Sequence, residues 1–447
     1  MDTHNAISYS SVPPWALVGL ALLISTLALV YGWRIRTKRL PVPPGPKPWP
    51  IIGNALQLPK EKEWLTYQDW SHEYGSDVLY FTSWGRSHVL INSAQAAAEL
   101  LEKRSTLYSG RPRMPMLNEL IGFEWDFAFM PYDDEWKDTR KAFTQHFRPT
   151  AAVKYRPIET QKTRELLRDL LETPEDFVEL MRLLSGKIIM GLTYGIDVQK
   201  TDDPYVSAAQ RALRGMNEAG NVGTYLVDFI PALKYVPEWF PGARFRREAR
   251  EWRVDAEGMV SAPFNAVKSA VENGNAVPSM LHSMLEAVGE DTDSYRRRVI
   301  ANAAAAAYEG GSETVGHLIC NIEDRLKRAM LHDPVVYPDP DRFMPERFLT
   351  DKGELDPDVP EPAAAFGFGR RVCPGMYMAS DSLWITAASL LWAFRIEKPK
   401  DRKNEGPDCT GEYTFGLVSY PVPFECAFNP RSDNVIPLVY SATEDNI

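Results

Sequence analysis

The chain has 447 residues, 44% of them hydrophobic and 25% charged, with a formal net charge of −10. This is ordinary for a globular protein with a large core, and the acidic balance argues against non-specific nucleic-acid binding. The four cysteines (Cys320, Cys373, Cys409, Cys426) have neither a disulfide framework nor zinc spacing, which fits a reducing compartment. No Gly/Ser linker, composition break or repeat divides the chain, so one large, mainly helical domain behind an N-terminal anchor is expected.

In chain order, Trp15 to Trp33 is an uncharged, mostly apolar run of 19 residues, just long enough to cross a bilayer as a helix. Arg34, Arg36, Lys38 and Arg39 follow, and the positive-inside rule puts that flank in the cytosol. A cleavable signal peptide is the competing reading. The length of the run, the basic cluster after it and the lack of an early basic residue favour a signal anchor over residues 1–40. Residues 41–50 are Pro-rich and read as a semi-rigid hinge, leaving 51–447 as the main domain.

Val78 to Phe81 and His88 to Ile91 look like strands, and Ser93 to Lys103 like a helix. Tyr108 to Met130 is loop-rich, with Met114, Met116, Leu117 and Phe123 as apolar anchors. In Trp136-Lys-Asp-Thr-Arg140 the i, i+4 spacing puts Trp136 and Arg140 on one helix face. Glu159 to Leu171 and Phe177 to Leu192 have helical periodicity. Between Tyr225 and Phe240 an aromatic stretch (Phe229, Tyr235, Trp239, Phe240, with Ile230) is broken by Pro231 and Pro237. It reads as a membrane-dipping segment or as core. Arg244 to Arg253 reads as a solvated helix face.

Further on, Ala303 to Ala307 leads into Gly310-Gly-Ser-Glu-Thr314, and Ala303, Ala307, Gly310 and Thr314 share one helical stripe. Phe366-Gly-Phe-Gly-Arg-Arg-Val-Cys-Pro-Gly375 reads F-x-x-G-x-R-x-C-x-G. A cysteine in such a loop suits axial thiolate ligation of a haem iron. Gly369 and Gly375 let the backbone turn and approach a flat ring, Arg371 offers a fixed charge to a propionate, and Phe366 can shield the sulfur. The bland alternative is a structural cysteine in a Gly-rich turn. Met376 to Phe394 reads as a helix buried behind the haem, Thr414 to Phe428 as a β-hairpin, and the residues from Arg431 as a polar tail.

These segments resemble the cytochrome P-450 family: the Cys373 loop, the W-x-x-x-R of Trp136 and Arg140, and the [AG]-G-x-[DE]-T of Gly310 to Thr314. The resemblance implies a mainly α fold with a small β-sheet and haem held by Cys373. It also implies propionate contacts from Trp136, Arg140 and Arg371, and roles in dioxygen bonding and proton relay for Thr314 and Glu313. Small residues beside Thr314 leave room for a porphyrin and O2. No G-x-G-x-x-G cofactor fingerprint follows a strand, so electrons are expected from an NADPH-cytochrome reductase, docking on a basic face of Arg370, Arg371, Lys137 and Lys141. The family also implies an endoplasmic reticulum membrane location, single-pass, with the catalytic domain facing the cytosol.

One family motif is missing. An E-x-x-R helix normally stands between the Thr-bearing helix and the Cys loop and pairs with the Arg of a P-E-R-F segment. Here Pro345-Glu-Arg-Phe348 is present, but no E-x-x-R lies between Thr314 and Arg347. An internal deletion near 317–329 is expected to remove that helix and part of the sheet. It would leave Arg347 without its ion-pair partners, at a cost of about 3–5 kcal/mol if the charge is buried. Glu165/Arg168 and Glu179/Arg182 have the spacing by chance and are not assigned the role. Three readings follow. The first is a haem-dependent monooxygenase of a lipophilic small molecule, such as a terpenoid or indole-type compound, in specialised metabolism. The second is a truncated pseudoenzyme or gene-model product that does not retain haem, at most a membrane-anchored binding protein. The third, disfavoured by Thr314, is a haem protein that senses or carries electrons.

Overall fold

The structure, a computed structural model, describes residues 19, 22–28, 41–59, 62–221, 223–289, 293–312, 328–340, 342–399, 414, 417–418, 422 and 424–444. Most of the N-terminal apolar run, Glu313, Thr314 and the stretch around the expected deletion lie outside these residues. Among the described residues no helix is long and apolar enough to cross a membrane. The chain forms two compact units, one of Met1–Gln57 with Trp70–Leu90 and one of Leu58–Asp69 with Ile91–Ile447.

In the first unit, the two expected strands are present as β1 (Val78–Ser83) and β2 (Arg86–Ile91), and they pair as a hairpin. Trp84 and Gly85, at φ 50° and 78°, supply the paired positive φ that matches strand twist. The Pro-rich stretch lies along β1 through the bond from Tyr80 N–H to the Pro44 carbonyl at 2.9 Å. Buried Asn54 ties the stretch down: its amide donates to Pro46 O and Gln57 Oε1, and its oxygen accepts from Thr82 N. Prolines cannot donate to a ladder, so acceptor-only contacts of this kind are what such a stretch can offer.

The second unit is helical: α1 (Asp134–Phe147), α2 (Arg156–Glu172), α3 (Phe177–Tyr194), α4 (Pro204–Ala219), α5 (Arg244–Glu272), α6 (Met280–Val288), α7 (Ser294–Ser312) and α8 (Met376–Ala393). Helix α7 packs on α3 and α1, α2 on α3 and α8, and α4 on α5. The centre of the core is the α3–α7 contact, where Leu184, Ile188, Ile189, Ala303 to Ala307 and Tyr308 are buried. Alanines let the helices approach closely, and a Cβ on Gly311 would come within 2.6 Å of the Ile189 side chain. The buried Tyr308 hydroxyl donates to Tyr205 O at 2.5 Å, tying α7 to the start of α4. Exposed pairs such as Arg244–Glu248 and Arg253–Glu257 solvate the basic start of α5 as expected.

Four expectations are corrected. The helix expected over 93–103 is α-helical only at Ala94–Ala97 and continues as a wider π-turn to Glu102. Helix α8 is only half buried. Met378, Ser382, Thr386, Leu390 and Ala393 face α2, while Trp384 (71% exposed), Leu391 and Trp392 face outward. Residues 414–428 do not make a hairpin among the described residues. Instead β4 (Ala427–Pro430) pairs antiparallel with β3 (Phe394–Glu397), which immediately follows α8. The polar tail contains a helix, α9 (Val435–Glu444), held on α2 by buried Val435 and Val439 one turn apart. Its anchors lie in the short apolar run Val435 to Tyr440, which Pro437 interrupts.

At the α2–α8 contact, the buried Glu159 accepts from the Ser382 hydroxyl at 2.7 Å through Oε1, while Oε2 has no hydrogen-bond partner. It lines a cavity of about 290 Å³ with Arg156, Thr160, Asp381, Trp384 and Ile385. Burial pushes its carboxyl up from 4.5 to about 7. The folded chain therefore holds this proton over an interval in which the unfolded chain has lost it, and stability falls as pH rises through that interval. Glu159→Gln, which keeps the Ser382 bond but carries no charge, is expected to raise the melting temperature at pH 8 and to leave it nearly unchanged at pH 4.5. Scanning calorimetry at the two pH values checks this.

Candidate active site

The Cys loop sits where the 3-10 turn Gly369–Arg371 meets the π-turn Ala98–Glu102. Gly369 has φ +61°, and a Cβ there would lie 1.8 Å from the Leu101 carbonyl, so only glycine fits. Gly375 is different. Its φ is −91° and a Cβ would meet nothing within 4 Å, so the space beside it is open rather than filled by protein. Cys373 is a thiol, partly exposed, whose N–H donates to the Phe366 carbonyl at 2.8 Å. That bond closes the loop from its first aromatic residue to the cysteine.

Helix α1 brings the second part. Asp133 caps it by accepting from Trp136 N at 2.9 Å, which sets the helix start three residues before Trp136. Arg140, one turn on, donates through Nη2 to the Val372 carbonyl at 2.5 Å, beside the cysteine. The Arg371 guanidinium stacks over the Trp136 ring at 4.5 Å. It also donates to three carbonyls: Ser109 (2.9 Å), Phe127 (2.6 Å) and Met130 (2.8 Å). The Trp136 indole N–H donates to the Phe127 carbonyl as well, at 3.0 Å. Trp136, Arg140, Arg371 and Cys373 are thus brought together from segments more than two hundred residues apart. Phe366 and Gly375 bracket the same loop.

Two residues of this cluster were not singled out from the sequence. Arg111 donates to the Ala128 carbonyl at 2.9 Å, and Asp126 is buried with Oδ2 unpartnered. Neither has a periodic or motif signal, because both lie in the irregular stretch before α1. Burial pushes Arg140 down to about 10 against the pull of Cys373, and pushes Arg371 down to about 10 with help from Arg111 and Arg140. Burial raises the Asp126 carboxyl to about 6, opposed by the Ala128 N–H and by Arg111 and Arg371. Among the described residues none of the three guanidiniums lies within ion-pair distance of a carboxylate. Asp126 acts on Arg111 and Arg371 and Asp133 on Arg371, while Arg140 has no carboxylate beside it among the described residues, so positive charge is left over and a ligand bearing carboxylates fits it. A haem with two propionates is such a ligand.

Helix α7 carries a run of buried alanines, Ala303 to Ala307. A Cβ on Gly310 would meet nothing within 4 Å, whereas Gly311 faces the core. Of the two glycines, Gly310 is the one beside open space. Arg347 donates to the carbonyls of Asp339 (2.8 Å), Arg342 (2.7 Å) and Met344 (3.1 Å), and among the described residues no carboxylate pairs with it. Glu165 is taken up by Lys162 and Lys187, and Glu179 by Arg182, so neither chance E-x-x-R serves Arg347.

A helical unit with a Cys-bearing loop opposite α1 and an Arg/Trp clamp is the architecture of a haem-thiolate protein. The chain belongs to the cytochrome P450 family, whose model matches residues 43–322 and 327–428. It is 35% identical to cytochrome P450 monooxygenase 98 of Postia placenta, over 94% of this chain and 97% of the relative. It is 31% identical to tryptamine 4-monooxygenase of Psilocybe cyanescens, over 95% and 99%. It is 32% identical to cytochrome P450 monooxygenase COX1 of Coprinopsis cinerea, over 94% and 98%. The relatives are fungal monooxygenases, which identifies the chain as an oxidoreductase of that kind.

Gly369→Ala is expected to cost roughly 2–6 kcal/mol, from the positive φ and the collision with Leu101. Urea unfolding measures it, and Gly375→Ala, which meets open space, should cost far less in the same assay.

Proposed function

We propose that the protein is a haem-dependent monooxygenase that oxidises a lipophilic small molecule in fungal specialised metabolism, with electrons delivered by an NADPH-cytochrome reductase. The observation that carries this reading is the cluster of Cys373, Arg140, Arg371 and Trp136. Cys373 would hold the iron, and Arg140, Arg371 and Arg111 would neutralise the propionates. Bound there, haem supplies the oxidising power that places one oxygen atom of O2 into a C–H bond. Ala303, Ala307 and Gly310 keep bulk away from that side. Thr314 would hold and pass a proton through its hydroxyl, with Glu313 relaying it, as the family motif implies.

The substrate class rests on the apolar loop Met116, Leu117, Ile121 and Phe123, which is fully buried, and on the names of the relatives. An indole-type or terpenoid compound fits both. A membrane site is supported by the apolar run Trp15 to Trp33 with its basic flank. It is also supported by the exposed Ile230, Tyr235, Trp239 and Phe240, which present an apolar patch of the sort that meets a lipid interface. These features support a location on the endoplasmic reticulum with the catalytic domain in the cytosol. For the reductase, Lys137, Lys141 and Arg370 are exposed. Arg371, half-buried in the clamp, is left out of that face.

A second reading, a truncated protein that does not retain haem, is favoured by specific observations. The alignment to the Postia relative runs over 505 positions but takes in only 94% of this 447-residue chain, so several tens of positions have no counterpart here. The family match is broken between 322 and 327. Arg347 has only carbonyl partners, and α8 exposes Trp384, Leu391 and Trp392. One spectrum separates the readings. On the whole membrane-expressed chain, the reduced carbon-monoxide difference spectrum should show a thiolate-type Soret band, and Cys373→Ser should abolish it. Absence of any haem band in protein verified by immunoblot supports the truncated reading instead. If the band is present, Thr314→Ala should lower O2-dependent product formation roughly 10²-fold while leaving the band in place.

A further inference from the structure

We infer that Asp126 is the positioning residue of the propionate clamp: it folds residues 126–130 into a turn whose carbonyls hold Arg111, Trp136 and Arg371 in place. This rests on the haem-site reading above and adds a residue to it. Asp126 Oδ1 accepts from Ala128 N at 2.8 Å, and its own carbonyl accepts from Phe129 N and Met130 N, both at 3.0 Å. Its N–H donates to Phe123 O at 3.2 Å, anchoring the turn to the preceding 3-10 segment. The side chain is 1% exposed, so these bonds are shielded from competing water.

The carbonyls that the turn offers to the clamp belong to Ala128 and Met130, which those bonds hold, and to Phe127, which lies between Asp126 and Ala128. Phe127 O accepts from both Arg371 Nη1 and Trp136 Nε1, Ala128 O from Arg111 Nε, and Met130 O from Arg371 Nη2. Arg371 is two residues before Cys373, so a turn that sets the guanidinium also sets the loop that presents the sulfur. The Oδ1 acceptor and the Asp126 carbonyl together tie three of the clamp donors to the loop that carries Cys373. The carboxylate adds a charge among cations, but the geometric work is done by the Oδ1 acceptor, which asparagine also has. Asparagine should therefore replace it and alanine should not.

The test compares Asp126→Asn and Asp126→Ala in the full chain. Haem content and the rate of haem transfer to apomyoglobin are measured, and the Soret band of the reduced carbon-monoxide form is recorded. The expectation is haem loss at least tenfold faster in Asp126→Ala, with a weakened thiolate-type band, and loss within threefold of the parent in Asp126→Asn. Equal damage from both variants, or none from either, overturns the positioning role. If the parent chain takes up no haem, it is the functional reading that fails. Asp126 is then tested on the haem-free protein by a urea double-mutant cycle with Arg371→Ala. Positioning predicts that the second substitution costs much less once the first is made, whereas additive losses overturn it.

Discussion

Buried positive charge is the constraint around which the second unit is organised. Arg140 and Arg371 are held in a place where an ion costs several kcal/mol unless it is compensated. The compensation comes from backbone carbonyls at 127, 130, 109 and 372 and from the face of Trp136. Carbonyl dipoles spread the charge without cancelling it. The surplus is what an anionic prosthetic group requires, and it concentrates beside the one cysteine held in a glycine-rich loop. Chain segments with no sequence proximity are drawn together because each contributes either a cation or an acceptor to the same buried cluster.

The rest of the unit serves this arrangement by keeping α7 thin. Five consecutive alanines allow α3 and α1 to close on it from two sides, and Gly311 removes the last side chain that would hold Ile189 away. Gly310, one residue earlier, looks into open space. Adjacent glycines thus serve opposite purposes because successive helical residues are turned by about 100°. On the far side of the unit the economy fails. Helix α8 is apolar on nearly every face, yet Trp384, Leu391 and Trp392 meet solvent. An all-round apolar helix ordinarily belongs inside a core.

Much of the architecture was legible because it rests on short-range rules. Trp136 and Arg140 sit one turn apart, and the spacing alone put them on one face. The runs 78–81 and 88–91 read as strands and are strands, and the helical periods over 159–171 and 177–192 survive with slightly wider bounds. What was not legible depends on long-range partners. Asp126 and Arg111 lie in an aperiodic stretch, and their importance comes from carbonyl acceptors that only the folded loop presents. The terminal helix was not expected because its apolar run, Val435 to Tyr440, is short and contains Pro437, and α2 supplies the surface that it needs. The last strand was expected to pair with its own neighbour, but it pairs with residues just after α8.

The sequence by itself pointed to the family and to the glycine-rich cysteine loop, because each depends on residue type at a fixed short spacing. It also determined that no E-x-x-R lies between Thr314 and Arg347, since that too is a matter of reading residues. Only the tertiary structure decided that Gly369 and not Gly375 takes a positive φ, which clamp donors go to backbone carbonyls, which of two adjacent glycines faces open space, and that buried Asp126 accepts from the turn beside Arg371. Those are properties of groups distant in the chain. Their energies are set by burial and by the acceptors that packing brings within hydrogen-bond reach.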